Sequence, residues 1–574
     1  MVNLEGLLTE RLASAFEQVA GMPVDPSTRR SQHADFQCDG ALALARRLGR
    51  NPREIAAEIL GHARLDDLCS AVEISGPGFV NLTVAPGVLG RLLAGITDDE
   101  RLGVPLPERP ETITVDYSAP NTAKEMHVGH LRSTIIGDAA VRVLEWQGHT
   151  VVRQNHLGDW GTPFGMLIEH LLDIGESEAA HELSVGDLNG FYQAARGKFD
   201  ADDAFKDRSR KRVVALQSGD ETTLRLWHTL VAESKKYFMA VYARMGVRLT
   251  EEDFFGESFY NDQLHAVVDE LDALGLLRES EGAKCVFPEG FTNRTGEPLP
   301  LIVQKSDGGF GYAATDLATI RRRLRVLHAT RLLYVVGSPQ SRHLEMVFET
   351  ARDASWLTDS ARAQHVGFGS VLGSDGKVLR TRAGASVKLV DLLDEAVIRA
   401  AAAIAEKNPD LDEESRAAVA RAVGIGAVKY ADLSTDRLKD YRFDYDRMLS
   451  FDGNTAPYLQ YARARICSIF GKAGVQAPRG TEALVVAEPD ERTLALQLLA
   501  FPGLIAEVAD SLEFHRLAHY LFDLATAFTG FYERCPVLRS EGEVLRSRLV
   551  LCDLTARTLA VGLELLGIEA PDRM

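Results

Sequence analysis

Two histidines, His127 and His130, stand three residues apart with Gly129 between them, in the string Lys124-Glu125-Met126-His127-Val128-Gly129-His130. The string follows a β-branched run, TITVDY at residues 112–117, and a turn, Ser118-Ala119-Pro120-Asn121. Beyond it Leu131, Ile135, Ala139 and Val143 recur every four residues, which is one face of a helix. The histidines therefore sit where a helix begins, and a helix start offers unpaired backbone amides that bind phosphate. Imidazoles there can donate to phosphate oxygens, and a glycine lets a base or phosphate approach the backbone. The same residues can equally serve as cap and packing, because His-x-x-His is a short pattern. A zinc site would need a third ligand at short spacing, and none stands out.

The surrounding sequence supplies the elements to position such a pair. Residues 112–117, 150–154 (TVVRQ) and 331–337 (RLLYVVG) read as strands, each followed by a polar turn, with helical segments between them. That alternation predicts a doubly wound parallel sheet, with ligands at the carboxyl ends of its strands. A long, charged, mostly helical stretch at about 165–300 interrupts the alternation as an insertion. Residues 1–108 form a small α/β module: VEISGPGFVNLTV reads as two short strands around Gly76-Pro77-Gly78, and DDERLGVPLPERPE as a linker. Residues 391–574 are almost wholly helical. Leu517, Tyr520, Leu521, Leu524, Ala525, Phe528 and Phe531 make an apolar stripe suited to a bundle core.

A chain of 574 residues exceeds one core and should divide into three or four domains. With 45% hydrophobic and 25% charged residues it has the composition of a soluble globular protein. A net charge of −18 argues against a DNA-coating role, yet leaves room for a specific RNA partner met by local basic patches. The opening MVNLEGLLTERLASAFEQVA reads as an amphipathic helix and not as a secretion signal. No uninterrupted apolar run approaches the ~18–20 residues of a membrane span, so the expectation is a cytoplasmic protein without a membrane partner. Cys38, Cys69, Cys285, Cys467, Cys535 and Cys552 never form a CxxC pair, which fits a reducing compartment and no structural metal.

The HVGH string resembles the HIGH signature that class I aminoacyl-tRNA synthetases carry at such a junction. The longer string SAPNTAKEMHVGHLRSTIIGD resembles the arginyl-tRNA synthetases in particular. So do NHLGDWGTPFGMLI (residues 155–168), YAATDLA (312–318), SVLGSDGKVLRTRAGASVKL (370–389), GNTAPYLQYARARI (453–466) and the terminal APDRM. The matches run in order to the last residue. The resemblance implies a Rossmann-type catalytic domain at 109–390, an added N-terminal module at 1–108 that touches the tRNA elbow, and a helical anticodon-binding domain at 391–574. It implies L-arginine, ATP with Mg2+ on its phosphates, and tRNA(Arg) as partners, no DNA, and a monomer.

It also implies site residues. An arginine pocket needs a carboxylate and neutral acceptors for a planar cation with five donors. The family has a Tyr and an Asp four residues apart on a helix, then a Gln after the next strand; here these are Tyr312, Asp316 and Gln340. Asn121 and His130 would also contact the amino acid, as would position 119, where Ala119 replaces the family's usual Ser. The second class signature, KMSKS, is absent. A basic loop, Gly376-Lys377-Val378-Leu379-Arg380-Thr381-Arg382, stands in its place, with Lys124 upstream of HVGH as its functional substitute. His127, Gly129, His130, Lys124, Lys377, Arg380 and Arg382 are therefore the catalytic candidates. Tyr458, Tyr461 and Arg465 share a helical face suited to stacking on tRNA bases. The cluster Arg208-Ser209-Arg210-Lys211-Arg212 reads as a solvated charged face. The alternatives are another class I synthetase, or an arginyl-tRNA-forming paralogue that serves a biosynthetic pathway.

Overall fold

The chain divides into one unit of residues 1–107, 450–565 and 569–574, and another of residues 108–449 and 566–568. The computed structural model describes residues 3–161, 163–175, 188–380, 387–475, 478–480 and 482–574. In the first unit the opening residues form the expected helix, α1 (Leu4–Ala20). The Asn3 side chain caps it by accepting from Gly6 N, and Leu4, Leu8, Leu12 and Phe16 lie on its buried face. Strands β1 (Thr28–Arg30), β2 (Phe36–Cys38), β3 (Cys69–Ser75) and β4 (Phe79–Val84) build an antiparallel sheet in the order β1-β2-β4-β3. Gly76 and Gly78 turn β3 into β4 with φ of 51° and 138°, conformations that only glycine adopts cheaply. Helices α2 (Gly40–Leu48), α3 (Pro52–His62) and α4 (Pro86–Ala94) complete the module.

The second unit begins with β5 (Thr112–Asp116), α5 (Val128–Gln147) and β6 (Thr150–Gln154). Helices α6 (Pro163–Ile174), α7 (Leu188–Ala201), α8 (Asp203–Gln217), α9 (Glu221–Met245) and α10 (Asn261–Ala273) follow. They lead to an antiparallel sheet of β7 (Arg278–Ser280), β8 (Ala283–Val286) and β9 (Leu301–Gln304), strands that the helical reading of this stretch passed over. Next come α11 (Tyr312–Arg325), β10 (Arg331–Tyr334), α12 (Ser341–Asp353) and β11 (Arg362–His365), then α13 (Leu389–Lys407) and α14 (Glu413–Leu433).

The main sheet is parallel, in the order β11-β10-β5-β6. From the central pair β5/β10 the chain winds outward in both directions, which opens a crevice at their carboxyl ends. Helix α5 is buried nearly all round. Leu131, Ile135, Ala139 and Val143 are fully enclosed as expected, and Arg132, Thr134 and Asp138 are buried too, because α13 and α14 also pack on it. Two buried ion pairs fix the frame: Arg132 Nε to Asp432 at 3.1 Å, joining α5 to α14, and Arg323 to Asp116 at 2.6 Å, joining α11 to the end of β5. Removing one partner of such a pair costs ~3–5 kcal/mol, because it strands a buried charge.

The first unit resumes with α15 (Ala456–Ala473), α16 (Pro489–Ser511), α17 (Phe514–Arg534) and α18 (Gly542–Leu565). All seven residues of the apolar stripe on α17 are buried. Helix α16 is long and apolar enough to cross a membrane by length and composition. Its Leu494, Leu498, Leu499, Ile505 and Val508 are instead buried in the bundle. Arg492 ties the bundle to the N-terminal module by donating to the Asp35 carboxylate and the Val84 carbonyl. Arg479 and Arg557 both donate to the Thr97 carbonyl. All six cysteines are unbridged, and burial pushes the thiols of Cys38 and Cys552 up to about 12.

Candidate active site

His127 is the N-cap of α5. Its Nδ1 accepts from Gly129 N at 3.0 Å, while His130 Nδ1 accepts from His127 N at 3.1 Å, so the two rings cap the helix reciprocally. A side chain at position 129 would collide with the His127 ring, since its Cβ would lie 2.7 Å from Cε1. Gly129 is thus required first by the cap itself. An Nδ1 that accepts leaves the ring proton on Nε2, so each imidazole is a neutral donor. Burial, then His127, pushes His130 down to about 3, and burial with Lys124 lowers His127. The cap and phosphate readings therefore coexist: one nitrogen of each ring holds the helix, and the other can donate elsewhere.

The loop that delivers these residues is held in an unfavourable backbone shape. Ser118, Ala119 and Ala123 have φ of 71°, 45° and 57°, each costing ~1–2 kcal/mol for a residue with a Cβ. Side chains over-determine it. Ser118 N donates to Ser133 Oγ at 2.9 Å, and Ala119 N to Asn155 Oδ1 at 3.0 Å. Helix α9 adds three hydroxyls: Tyr242 Oη lies 2.7 Å from Ser118 Oγ, Ser234 Oγ accepts from Ala123 N, and Tyr237 Oη accepts from Met126 N. The inserted helices thereby brace the loop. Ala119 is exposed, with its N–H committed to Asn155. Lys124 lies over the Tyr192 ring at 4.3 Å.

Further contacts hold the residues around the crevice. Asn121 rests on Gly158, where a Cβ would come within 2.2 Å of its Oδ1. Buried Asp159 accepts from Ser258 N at 2.9 Å and Ser258 Oγ at 2.7 Å, and so anchors the turn carrying Glu257. Burial, then Asp159 and Asp316, pushes the Glu257 carboxyl up to about 8. Asp316 Oδ2 lies 2.6 Å from His343 Nε2 on α12, one turn beyond Gln340. Ser133 Oγ on α5 donates to Val335 O, just after β10. Asp316 neither caps α11 nor pairs with the neighbouring arginines: Arg321 pairs with Glu270 and Arg323 with Asp116. Tyr312, first residue of α11, is 75% exposed, and Gln340 is exposed in the turn before α12.

Sequence reasoning missed Glu257, Asp159 and His343. His343 was detectable from its i, i+3 spacing to Gln340; Glu257 is a lone carboxylate inside the insertion, and only folding places it where the charge of Asp316 acts on it.

The basic loop is joined to the helix start through backbone. Leu372 and Val378 pair across a tight turn in which Gly373 N donates to Lys377 O. Beyond the loop, residues 387–389 run antiparallel to 126–128, with Val128 N donating to Val387 O. Lys377 and Arg380 are both exposed, and among the described residues neither side chain is brought onto the imidazoles; Arg382 lies outside the described residues. In the first unit, Tyr458 packs on Phe522, Tyr461 is exposed against Phe451, and Arg465 lies 5.1 Å over the Tyr532 ring. Arg208 and Arg212 pair with Glu169 on α6, while Arg210 and Lys211 of that basic cluster are exposed.

Residues 94–445 match the family model for the catalytic domain of class I (R) tRNA synthetases. Residues 459–574 match the DALR anticodon binding domain, and residues 3–84 the arginyl tRNA synthetase N terminal domain. The chain is 57% identical over 578 residues to an arginine–tRNA ligase of Thermobifida fusca, covering 100% of both. It is 48% identical over 580 residues to one of Klebsiella pneumoniae, again covering 100% of both. Among solved structures it resembles arginyl-tRNA synthetase from Plasmodium falciparum, with a TM-score of 0.87 at 30% identity, over 100% of this chain and 99% of that one. The Thermus thermophilus arginyl-tRNA synthetase follows at 0.84 and 27%, over 99% and 100%. With a relative this similar along its whole length and a catalytic-domain model spanning more than half of it, the chain belongs to the arginyl-tRNA synthetases, a class I aminoacyl-tRNA ligase family.

Proposed function

We propose that the crevice activates L-arginine with ATP, releasing pyrophosphate, and that the arginyl group of the resulting adenylate is transferred to the 3′-terminal ribose of tRNA(Arg), releasing AMP. The observation that carries this reading is the Asp316 carboxylate, held by His343 on α12 and near enough to Glu257 for its charge to raise that carboxyl, in the same unit as the HVGH helix start. Two carboxyl groups suit a planar cation with five donors, and neutral imidazole donors at a helix N-terminus suit a triphosphate. Tyr312 and Gln340 would complete the arginine pocket, Asn121 and the backbone at Ala119 would hold the α-amino end, and His130 would lie between the two ligands.

In this reading the arginine carboxylate attacks the α-phosphorus of ATP, and negative charge grows on the phosphate oxygens. His127 and His130 donate from Nε2, the α5 amides contribute their dipoles, and Lys124 supplies a fixed positive charge. Lys377, Arg380 and Arg382 would steady the leaving pyrophosphate. Magnesium bound to the ATP phosphates would offset part of their charge. No side chain needs to form a covalent bond. Tyr458, Tyr461 and Arg465 would meet splayed tRNA bases and their phosphates, and the N-terminal module would touch the tRNA elbow. A monomer in the cytoplasm serving translation is part of the same proposal. ATP–pyrophosphate exchange with each amino acid, with and without tRNA, tests it. Arginine-dependent exchange that needs tRNA is the expected result, and exchange driven by lysine or glutamate would overturn it.

A further inference from the structure

Asp316 does not stand alone in the crevice. Its Oδ2 is 2.6 Å from His343 Nε2, a short contact between two half-buried side chains on different helices. The carboxylate makes no second side-chain hydrogen bond among the described residues. His343 lies in the first turn of α12, three residues after Gln340, the residue that precedes the helix. A carboxylate on a side chain with two free torsions would otherwise sample several rotamers, and binding would have to restrict it.

We propose that His343 is a positioning residue for arginine: its ring N–H holds Oδ2 of Asp316 and thereby turns Oδ1 toward the guanidinium. This rests on Asp316 being the guanidinium acceptor. Contact with Asp316 outweighs burial and raises the imidazole above its ordinary value, as a donor that stabilises a carboxylate should be. Nothing requires His343 to touch substrate. Its effect passes through Asp316 and is confined to arginine binding.

The donor atom matters, and that makes the inference testable by reach. The amide nitrogen of glutamine can occupy the place of Nε2, whereas that of asparagine reaches only as far as Nδ1. The Michaelis constants for arginine and ATP, with kcat, are measured by pyrophosphate exchange in the presence of tRNA for His343→Ala, His343→Asn and His343→Gln. The three are also combined with Asp316→Asn. The expected result is a rise of about tenfold or more in KM for arginine in H343A and H343N, as for loss of a hydrogen bond to a charged group. H343Q should stay within about threefold of the wild type, with KM for ATP unchanged in all three. In the D316N background the His343 substitutions should add nothing, as residues acting through one contact are non-additive. Equal effects of H343Q and H343N would overturn the inference, and so would a His343 effect that persists undiminished in D316N. If D316N itself leaves KM for arginine unchanged, the guanidinium reading fails instead, whatever the His343 variants do.

Discussion

Glu257 gives the sharpest consequence of the carboxylate pair. In the free protein burial and two neighbouring carboxylates hold it near 8, against an ordinary value of 4.5. At pH 7 about nine in ten molecules then carry it protonated, and at pH 6 about ninety-nine in a hundred. The sign follows from linkage. The raised carboxyl costs fold stability increasingly as pH climbs from 4.5 toward 8, because the unfolded chain ionises first. A bound guanidinium supplies the missing counter-charge, so arginine binding should expel up to one proton. Arginine affinity should therefore improve by up to about tenfold per pH unit between pH 6 and 8 and level off above. Glu257→Gln removes the titration: its Kd should be flatter across that window and weaker by ~10–100-fold at pH 8.5, for loss of a charge-assisted hydrogen bond. Calorimetric titration with arginine, in buffers of different ionisation heat, measures affinity and proton release together. A wild-type slope retained in E257Q, or no proton released at pH 7, would refute the placement of Glu257 against the guanidinium.

Asp316→Ala should raise the Kd for arginine by at least about a hundredfold, with ATP affinity intact in the same titration format. Gly129→Ala should lower the exchange rate by roughly a hundredfold in a folded protein, because a Cβ there displaces the His127 ring; an unchanged rate would show that the reciprocal cap is dispensable. Tyr242→Phe deprives Ser118 and Asn155 of a partner, and should cost ~1–3 kcal/mol in denaturant unfolding while lowering kcat. Arg465→Ala should raise KM for tRNA by about tenfold and leave tRNA-saturated KM for arginine unchanged in aminoacylation.

Three of the four strands of the parallel sheet were legible because 112–117, 150–154 and 331–337 are short β-branched or apolar runs ended by turns, a pattern set by local sterics; β11, the polar run RAQH, was passed over. The full burial of α5 was not legible, since Arg132, Thr134 and Asp138 break its apolar period, and Arg132 and Asp138 find partners far along the chain in Asp432 and the Arg248 N–H. The strands at 278–304 were passed over inside a charged stretch dominated by helices. At the site, His127, Gly129 and His130 announced a helix start by position. Tyr312 and Asp316 shared a face by spacing. Glu257, Asp159 and the hydroxyls of α9 carry no such signal, because their meaning comes from long-range contacts: Tyr242 is 124 residues from Ser118.

A structure of the protein with arginine and a non-hydrolysable ATP analogue tests the central claim most directly. The guanidinium should lie within hydrogen-bonding distance of both Asp316 and Glu257, and the phosphates against Nε2 of His127 and His130. A guanidinium that reaches neither carboxylate would contradict it.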